Sequence, residues 1–409
     1  MDEVSRERRD PVDAVTLAAA AEIVANVRDS GAEAVRTYGV RFGDLTVGQR
    51  LIVPRVELEA AAARISSADR ALLERTAGRI AAFASSQRGT LRDLETEVPS
   101  GRAGHTVRPV QVAGCYAPGG RFPLPSSVLM TAVTARVAGV ETVWVASPRP
   151  TDHTLAAAAI AGADALLQVG GAQAIAAFAY GAGDVPACDV IVGPGNRFVT
   201  AAKQLVAGRV RIDMLAGPSE LLVLADGTSD PGTIAADLLA QAEHDPDAVP
   251  ILVTLDAGIA DLVDGELDRQ LATLPTAGTA AAALSNGFTV VAADLGAAIA
   301  LCDRLAPEHL EVLTADADAV AARLRNYGGL FIGAGSAEVF GDYGAGPNHT
   351  LPTGGTGRFC GGLSVFDFLA IRTWMRLEGD SRALAEDAAA LGRMEGLEGH
   401  ARAAERRLR

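Results

Sequence analysis

Aromatic side chains and long apolar runs are scarce in this chain of 409 residues, of which 4% are aromatic. Few aromatics argue against the base-stacking platforms of nucleic-acid-binding proteins. The formal net charge of −14 also argues against nucleic acid or an anionic membrane as the main partner. The alanine-rich stretches are interrupted by charges and glycines, and residues 1–10 are too highly charged for a signal peptide. We therefore expect a cytoplasmic protein that binds neither nucleic acid nor a membrane.

Cysteine is also rare. Cys115, Cys188, Cys302 and Cys360 lie far apart and form no Cys-x-x-Cys pair. This spacing is typical of buried free thiols in a reducing compartment. Cys115 lies beside a glycine-rich motif, and for it too the favoured interpretation is a small buried apolar residue.

Short apolar runs alternate with amphipathic segments from Val107 onward. A first series predicts strands at 110–115, 142–146, 166–169 and 189–192, and helices at 126–138, 154–161, 172–180 and 197–206. A second series predicts strands at 221–225, 251–255, 289–292, 310–314 and 330–332, and helices at 233–244, 259–272, 297–304 and 317–326. Such alternation with short loops implies parallel sheets covered by helices on both faces. The predicted fold class is therefore α/β, and the chain is long enough for two or three domains.

The two ends of the chain are patterned differently. Residues 12–102 are mostly helical in pattern, with helices predicted at 17–38 and 56–87 and a short apolar run, Leu51-Ile52-Val53, between them. Residues 341–355 form a loop rich in glycine and proline, and helices are predicted again at 365–375 and 381–408. A helical N-terminal segment and a helical C-terminal tail thus flank the two predicted sheets.

No G-x-G-x-x-G sequence is present, so the ordinary dinucleotide-binding signature is missing. Glycines nevertheless follow three predicted strands, at Pro118-Gly119-Gly120, Gly170-Gly171 and Gly193-Pro194-Gly195-Asn196. In parallel sheets, ligands bind outside the carboxyl ends of the strands, often against a helix N-terminus. Glycines are as common there for turn geometry alone, and the pattern leaves both interpretations open.

The helix that ends near His244 carries the first candidate metal ligands. Gln241 and His244 lie three residues apart and share a helix face, and Asp245-Pro246 ends the helix because proline disfavours helical geometry in the residue before it. An amide oxygen and an imidazole could supply half the ligands of a zinc ion. Taken alone, the pair is more typical of a solvated helix end.

Other histidines lie in equally polar surroundings. His309 directly follows Glu308, and an imidazole beside a carboxylate is suited to acid–base chemistry near neutral pH. His349 lies in the 341–355 loop, and His400 ends the run 395–400. The residues that together offer the mixed oxygen and nitrogen donors preferred by zinc are Gln241, His244, Asp342 and His400.

Several longer motifs resemble those of the histidinol dehydrogenase family. They are Cys115-Tyr116-Ala117-Pro118-Gly119-Gly120, residues 124–138, Gly170-Gly171-Ala172-Gln173-Ala174-Ile175-Ala176, Val192-Gly193-Pro194-Gly195-Asn196, Ala216-Gly217-Pro218-Ser219-Glu220, residues 237–246, Ala306-Pro307-Glu308-His309-Leu310, residues 341–352 and residues 395–400. The resemblance runs in order from about Thr16 to the C-terminus. It implies an enzyme that depends on NAD and zinc and oxidises the primary alcohol L-histidinol through an aldehyde to L-histidine.

The resemblance also implies a role for individual residues. His309 would remove the alcohol proton, and Glu308 would activate water for attack on the aldehyde. The implied zinc ligands are Gln241, His244, Asp342 and His400. The implied contacts to the substrate, an amino alcohol, are Ser219, Gln241, His244, His309, Asp342, His349, Glu395 and His400. The implied contacts to NAD are Tyr116, Gln173 and Asn196.

The family's architecture implies an intertwined homodimer of chains with two Rossmann-like parallel-sheet domains, in which His400 comes from the partner subunit. The expected divisions are 1–108, a helical segment that packs on the second α/β domain; 109–220, the first Rossmann-like domain on the NAD side; 221–361, the second, with zinc and catalytic residues; and 362–409, a helical tail exchanged within the dimer. The atypical NAD site of this family explains the missing glycine signature.

Three alternatives remain at the level of sequence. Relatives of the family oxidise other small alcohols such as a sulfopropanediol, and Arg121 could then serve an anionic substrate. A zinc hydrolase that uses Glu308 to activate water would need no NAD. A catalytically idle binding protein is disfavoured because Glu308, His309 and all four candidate ligands are present.

Overall fold

Three β-sheets and fifteen α-helices make up the described part of the chain, residues 12–119 and 123–407 of a computed structural model. The helices are α1 (Ala14–Arg41), α2 (Arg55–Arg64), α3 (Ser67–Thr90), α4 (Pro125–Ala138), α5 (Asp152–Ile160), α6 (Gly171–Tyr180), α7 (Arg197–Val206), α8 (Pro231–Ala242), α9 (Ala257–Leu271), α10 (Ala277–Leu284), α11 (Leu295–Leu305), α12 (Ala317–Ala321), α13 (Glu338–Asp342), α14 (Arg382–Met394) and α15 (Glu398–Glu405). Arg121, the residue considered for an anionic substrate, lies outside the described residues. Among those residues, no helix combines the length and apolarity needed to cross a membrane.

The fourteen strands alternate with these helices. They are β1 (Ile52–Pro54), β2 (Leu94–Val98), β3 (Gly101–Pro109), β4 (Val112–Tyr116), β5 (Thr142–Ala146), β6 (Ala165–Leu167), β7 (Val190–Val192), β8 (Arg211–Ile212), β9 (Glu220–Ala225), β10 (Val249–Thr254), β11 (Phe288–Val291), β12 (His309–Leu313), β13 (Gly329–Ile332) and β14 (Leu369–Leu377). The chain divides into a larger unit, Met1–Gln87 with Val110–Phe368, and a smaller unit, Arg88–Pro109 with Leu369–Arg409. The predicted α/β class with parallel sheets is confirmed.

The first sheet of the larger unit has the strand order β1-β6-β5-β4-β7-β8. Its neighbours pair in parallel except at the edge, where β1 runs antiparallel to β6. Although the sequence predicts that the N-terminal segment packs on the second α/β domain, α1 packs on α6 and α7 of this first sheet. In contrast to α1, α3 contacts the 341–355 loop of the second predicted domain. Arg79 Nε donates there to the Gly344 carbonyl oxygen at 2.6 Å.

The second sheet, β11-β10-β9-β12-β13, is parallel throughout. Alternate side chains of a strand point to opposite faces. Leu313 therefore joins the apolar cluster under α8 and α9, whereas Leu310 and Val312 join the cluster under α11 and α12. Both faces are thus buried, as expected for a parallel sheet.

The smaller unit contains the antiparallel sheet β14-β3-β2 followed by α14 and α15. The helix predicted at 365–375 is wrong, because only a 3₁₀ turn, Val365–Phe368, precedes the strand β14. β14 pairs along all of its nine residues with β3, and β2 and β3 lie where the N-terminal segment was expected to be mostly helical. The helix predicted at 381–408 is interrupted at Gly396, whose φ of 76° lies in the left-handed region.

The cysteines are free thiols, as the sequence predicts. Cys115, Cys188 and Cys302 are buried, whereas Cys360 is half-buried. Burial raises the pKa of Cys115 to about 12. A thiol that stays protonated in this way is a poor nucleophile, which favours the packing role expected for Cys115.

Candidate active site

A cleft of about 1040 Å³ lies within the larger unit and is lined by loops of both parallel sheets. The predicted site residues of this unit all line it: Tyr116, Gln173, Asn196, Ser219, Gln241, His244, Glu308, His309, Asp342 and His349. Residues far apart in sequence are therefore brought together in one cavity, large enough for a dinucleotide or a comparable ligand.

The first sheet lines the cleft with the carboxyl ends of its strands, and the second sheet lines it with the amino ends. Tyr116 ends β4 and Asn196 follows β7, at the point where the strand order of the first sheet reverses. This is the usual ligand position in open α/β sheets. In the second sheet, however, Glu220 and His309 are the first residues of β9 and β12. The expectation that ligands lie at the carboxyl ends of strands therefore applies to the first sheet only.

Glu308 is buried at the start of β12, with 6% of its surface exposed. It follows Ala306, which ends α11 with a left-handed φ of 47°, and Pro307. Its Oε2 accepts a hydrogen bond from the Glu220 backbone N–H at 2.9 Å. Burial raises the pKa of Glu308 well above its usual value, and this backbone donor acts in the opposite direction. A carboxyl group with a raised pKa of this kind is suited to general acid–base chemistry.

The His309 ring is held in one orientation. Its Nδ1 lies 3.0 Å from the Glu220 carbonyl oxygen, which can only accept a hydrogen bond, so Nδ1 carries the proton. Nε2 then has a free lone pair and no hydrogen-bond partner among the residues that the structure describes. Burial lowers the pKa of His309 to about 4, although Asp342 acts in the opposite direction. The imidazole is therefore neutral at physiological pH and able to take a proton.

A set of metal donors lies beside this pair. His244 Nε2 lies 3.5 Å from Asp342 Oδ2, and single ligand atoms of His244, Glu338 and Asp342 lie within 4.8 Å of one another. Gln241 is fully buried, and neither atom of its amide has a hydrogen-bond partner within the described ranges. A buried amide is costly unless something binds it. These donors fit a divalent cation such as zinc, with Gln241 supplying an oxygen.

Glu338 is a site residue that the sequence does not reveal. It is 1% exposed and begins α13, four residues before Asp342 and therefore on the same helix face. Burial raises the pKa of Glu338 well above its usual value, and the nearby carboxylate of Asp342 adds to this. Its four-residue spacing from Asp342 is the one signal that could have identified it.

Hydrogen bonds connect the loop after α13 to α4. His349 Nδ1 donates to the Asp342 carbonyl oxygen at 3.0 Å, and His349 Nε2 lies 3.3 Å from Ser127 Oγ. Asn348 Nδ2 donates to the Met130 carbonyl oxygen at 2.9 Å. These bonds connect the two α/β layers at the cleft, and the sequence gives no indication that Ser127 contributes.

The cofactor side of the cleft is built on close backbone contacts. Gly193 has a φ of 116°, and a Cβ atom there would lie 2.0 Å from the Tyr116 carbonyl oxygen. Only glycine therefore fits between the ends of β4 and β7. The Tyr116 hydroxyl accepts from the Gly171 N–H at 3.2 Å, while Asn196 Oδ1 caps α7 by accepting from the Phe198 N–H at 3.0 Å. The side chains expected to contact NAD thus also hold the loops in place.

Gln173 and Asp44 lie together on this side of the cleft. Gln173 is 2% exposed, and its Oε1 has no partner in the part of the chain that the structure describes. Asp44 Oδ2 accepts from the Gly170 N–H at 2.9 Å, and burial raises the pKa of Asp44. The sequence does not single out Asp44, because its contact with Gly170 spans 126 residues.

The remaining predicted residues belong to the smaller unit. Glu395 lies at the end of α14 and His400 lies in α15. Both are exposed in this unit. The His244–Glu338–Asp342 donor cluster consists of residues of the larger unit alone.

Comparison with known proteins identifies close relatives. The family model described as histidinol dehydrogenase matches residues 6–408. Histidinol dehydrogenase of Thermus thermophilus is 54% identical over 299 residues, which make up 72% of this chain and 72% of that protein. The enzyme of the same name from Syntrophotalea carbinolica is 46% identical over 95% of this chain and 92% of its own length.

A solved structure agrees with the sequence comparisons. The crystal structure of histidinol dehydrogenase from Elizabethkingia anophelis matches with a TM-score of 0.90 and 31% identity, covering 98% of this chain and 93% of that one. None of these relatives supports the alternative of a sulfopropanediol dehydrogenase. The chain therefore belongs to the histidinol dehydrogenase family, oxidoreductases of histidine biosynthesis.

Proposed function

We propose that this chain is an NAD- and zinc-dependent dehydrogenase that oxidises L-histidinol through L-histidinaldehyde to L-histidine. The observation that carries the proposal is the His309 ring, whose proton is held on Nδ1 by the Glu220 carbonyl oxygen. Nε2 lies beside a set of metal donors and has no hydrogen-bond partner among the described residues. Family membership gives the reaction class, and this geometry supports a role for each group.

Gln241, His244 and Asp342 would hold zinc from this chain, and His400 would complete the set from a partner chain. Zinc, when bound, supplies a positive anchor for the imidazole and amine of the substrate. The Gln241 amide has no partner in the described ranges, which supports this assignment because a cation would satisfy its buried oxygen. Ser219, His349 and Glu395 would then complete the contacts to the substrate.

His309 would take the hydroxyl proton onto Nε2 as a hydride leaves the adjacent carbon. Tyr116, Gln173 and Asn196 would hold NAD in an atypical Rossmann-like domain, and NAD would supply the hydride acceptor. Proton and hydride must leave together, so the base and the nicotinamide need to be held within contact distance of the same substrate. The single cleft shared by His309 and the cofactor-side residues supports such a geometry.

Glu308 would act in the second half of the reaction. Its ionised form would take a proton from a water molecule that attacks the aldehyde carbon, producing a hydrated aldehyde. A second NAD would accept a hydride from that carbon, and the resulting carboxylic acid would lose its remaining proton to water and give the carboxylate. Retaining the aldehyde between the two steps protects a reactive intermediate from side reactions.

A homodimer would follow from sharing His400 and Glu395. The smaller unit supports a partner chain, because Ile371, Met375 and Leu377 lie on one face of β14 and are 55%, 68% and 40% exposed. An apolar sheet face of this kind is typical of an interface. We infer that the part of the chain from 362 to 409 is exchanged between the subunits.

The test is NADH formation by the zinc-loaded protein with L-histidinol as substrate. Two NADH per histidinol consumed, with histidine as product, would establish both steps. A protein that holds zinc and NAD yet forms no NADH from histidinol would overturn the proposed substrate. A zinc-loaded protein that binds no NAD would overturn the cofactor assignment.

Sharing of the site predicts complementation between inactive variants. We expect His400→Ala and Gln241→Ala proteins to be inactive separately and to regain activity when their subunits are mixed, because one site of a mixed dimer is then intact. Activity is measured by NADH formation after subunit exchange, which a mass tag on one variant verifies. Circular dichroism of each variant provides the control for folding, since Gln241 is fully buried. Mixed dimers without activity would contradict sharing.

A further inference from the structure

Two acidic side chains are buried directly behind the metal donors. Asp237 lies four residues before Gln241 on α8, and Glu311 lies two residues after His309 on β12. Each spacing puts the acid on the same face of its element as the site residue. Asp237 and Glu311 are 9% and 0% exposed, and their carboxyl groups lie within hydrogen-bonding reach of each other. The pair therefore connects α8 to β12.

Glu311 also connects β12 to a third element, α13. This helix begins at Glu338 after Ala337, whose side chain offers no capping group. Glu311 Oε1 accepts from the Glu338 backbone N–H at 2.6 Å and so supplies the missing cap. Asp342 ends α13 one turn later. The bond therefore fixes the position of Asp342 relative to β12.

Burial of these acids is costly for the fold. Glu311 points to the sheet face that Leu221, Val223 and Leu313 fill with apolar side chains. Burial raises the pKa of Glu311 to about 8, and the Asp237 carboxylate adds to this. Ionisation of both members of such a buried, adjacent carboxyl pair is disfavoured. A leucine at position 311 would make the fold more stable than a buried carboxyl group does. Glu311 is therefore expected to have a role other than stability.

We propose that Asp237 and Glu311 are positioning residues that tie α8, β12 and α13 together and thereby hold the metal donors of these elements at coordination distance. The inference rests on the proposed zinc centre. Neither residue is assigned as a ligand. Partners behind the ligands orient them, and their loss typically weakens metal binding by about 10–100-fold.

The test compares zinc affinity in two variants at position 311, measured by competition with a chromophoric chelator. Glu311→Leu should weaken zinc binding by about 10–100-fold, because α13 loses its cap and α8 its partner. Glu311→Gln should restore most of the affinity, because its amide oxygen can accept from the Glu338 N–H while its NH₂ donates to Asp237. In the cobalt-substituted protein, the visible absorption bands should change in the leucine variant and be preserved in the glutamine variant.

Thr254→Val provides a matched control on β10, which belongs to the same sheet as β12 and is separated from it by β9. Thr254 is also 0% exposed, and its hydroxyl accepts from the Asp256 N–H at 3.2 Å, away from the donors. The Thr254→Val substitution should lower the stability of the fold without changing the affinity for zinc. A folded Glu311→Leu protein with wild-type zinc affinity would overturn the inference.

If Glu311→Leu does not fold, Asp237→Ala serves the same test, because it breaks the α8 contact and leaves α13 capped. It should weaken zinc binding by about tenfold, and wild-type affinity would again overturn the inference. A wild-type chain that binds no zinc would instead overturn the proposed centre itself. The two failures are therefore distinguishable.

Discussion

Replacing His309 by asparagine should lower kcat for histidinol oxidation by about 10²–10⁴-fold, the usual contribution of a general base. The asparagine NH₂ can still donate to the Glu220 carbonyl oxygen, which His309 Nδ1 approaches at 3.0 Å, so the backbone contact survives. What is lost is the lone pair on Nε2, which has no other partner in the described structure. Steady-state NADH formation at saturating histidinol and NAD measures the change.

A loss of kcat can be attributed to the missing base only if the variant still binds NAD and zinc. The Kd values of NAD and of zinc should remain near those of the wild type, because His309 is not among the proposed metal ligands or NAD contacts. His153→Asn is a matched control, since His153 is exposed and its Nε2 lies 3.2 Å from Asp69. A His309→Asn enzyme that retains kcat within a few-fold would exclude this residue as the base.

The alternating strands and helices were predictable because each is encoded locally. Residues 142–146 and 197–206 coincide with β5 and α7 to the residue. A short apolar run between amphipathic segments is typical of a strand in a parallel sheet that is buried on both faces, and few other structures fit this pattern. The bounds of most other elements differ by one or two residues, which is the fraying expected of strand and helix ends.

β14 shows where local reasoning fails. Phe368, Ile371 and Met375 recur at spacings of three and four, which predicts a helix. The segment instead pairs with β3, so that Ile371 lies opposite Val107. Long-range strand pairing overrides local propensity in such cases. A pairing partner more than 260 positions away in sequence leaves no signal in a window of eleven to eighteen residues.

The site was predictable where its residues occur in short motifs. Gln241 with His244, and Glu308 with His309, are recognisable pairs, and each pair lies in the same cleft. Glu338 and Glu311 were not identified, because an isolated glutamate usually lies on a solvated surface. Their burial depends on how α13 packs. Gly341 of this helix lies close to the Phe331 ring, and a Cβ atom at position 341 would be only 2.9 Å from that ring.

Replacing Glu308 by glutamine should separate the two oxidation steps. Glutamine retains the oxygen that accepts from the Glu220 N–H, a bond of 2.9 Å in this structure, but it cannot take a proton from water. We expect the oxidation of histidinaldehyde to fall by about 10²–10⁴-fold, while the alcohol step, for which His309 is the proposed base, is largely retained. NADH formed per histidinol should fall from two toward one, with the aldehyde trapped by a hydrazine reagent.

The pH dependence provides a second, independent measure of the same role. Burial raises the pKa of Glu308 well above its usual value, so the ionised form, which we propose to be the active one, is gained as the pH rises. The rate of aldehyde oxidation by the wild type should therefore increase as the pH rises and Glu308 ionises, and at low pH it should approach the rate of Glu308→Gln. The variant has no proton to lose at this position and should lack the increase. Two NADH per histidinol at the wild-type rate from Glu308→Gln would show that another group activates the water.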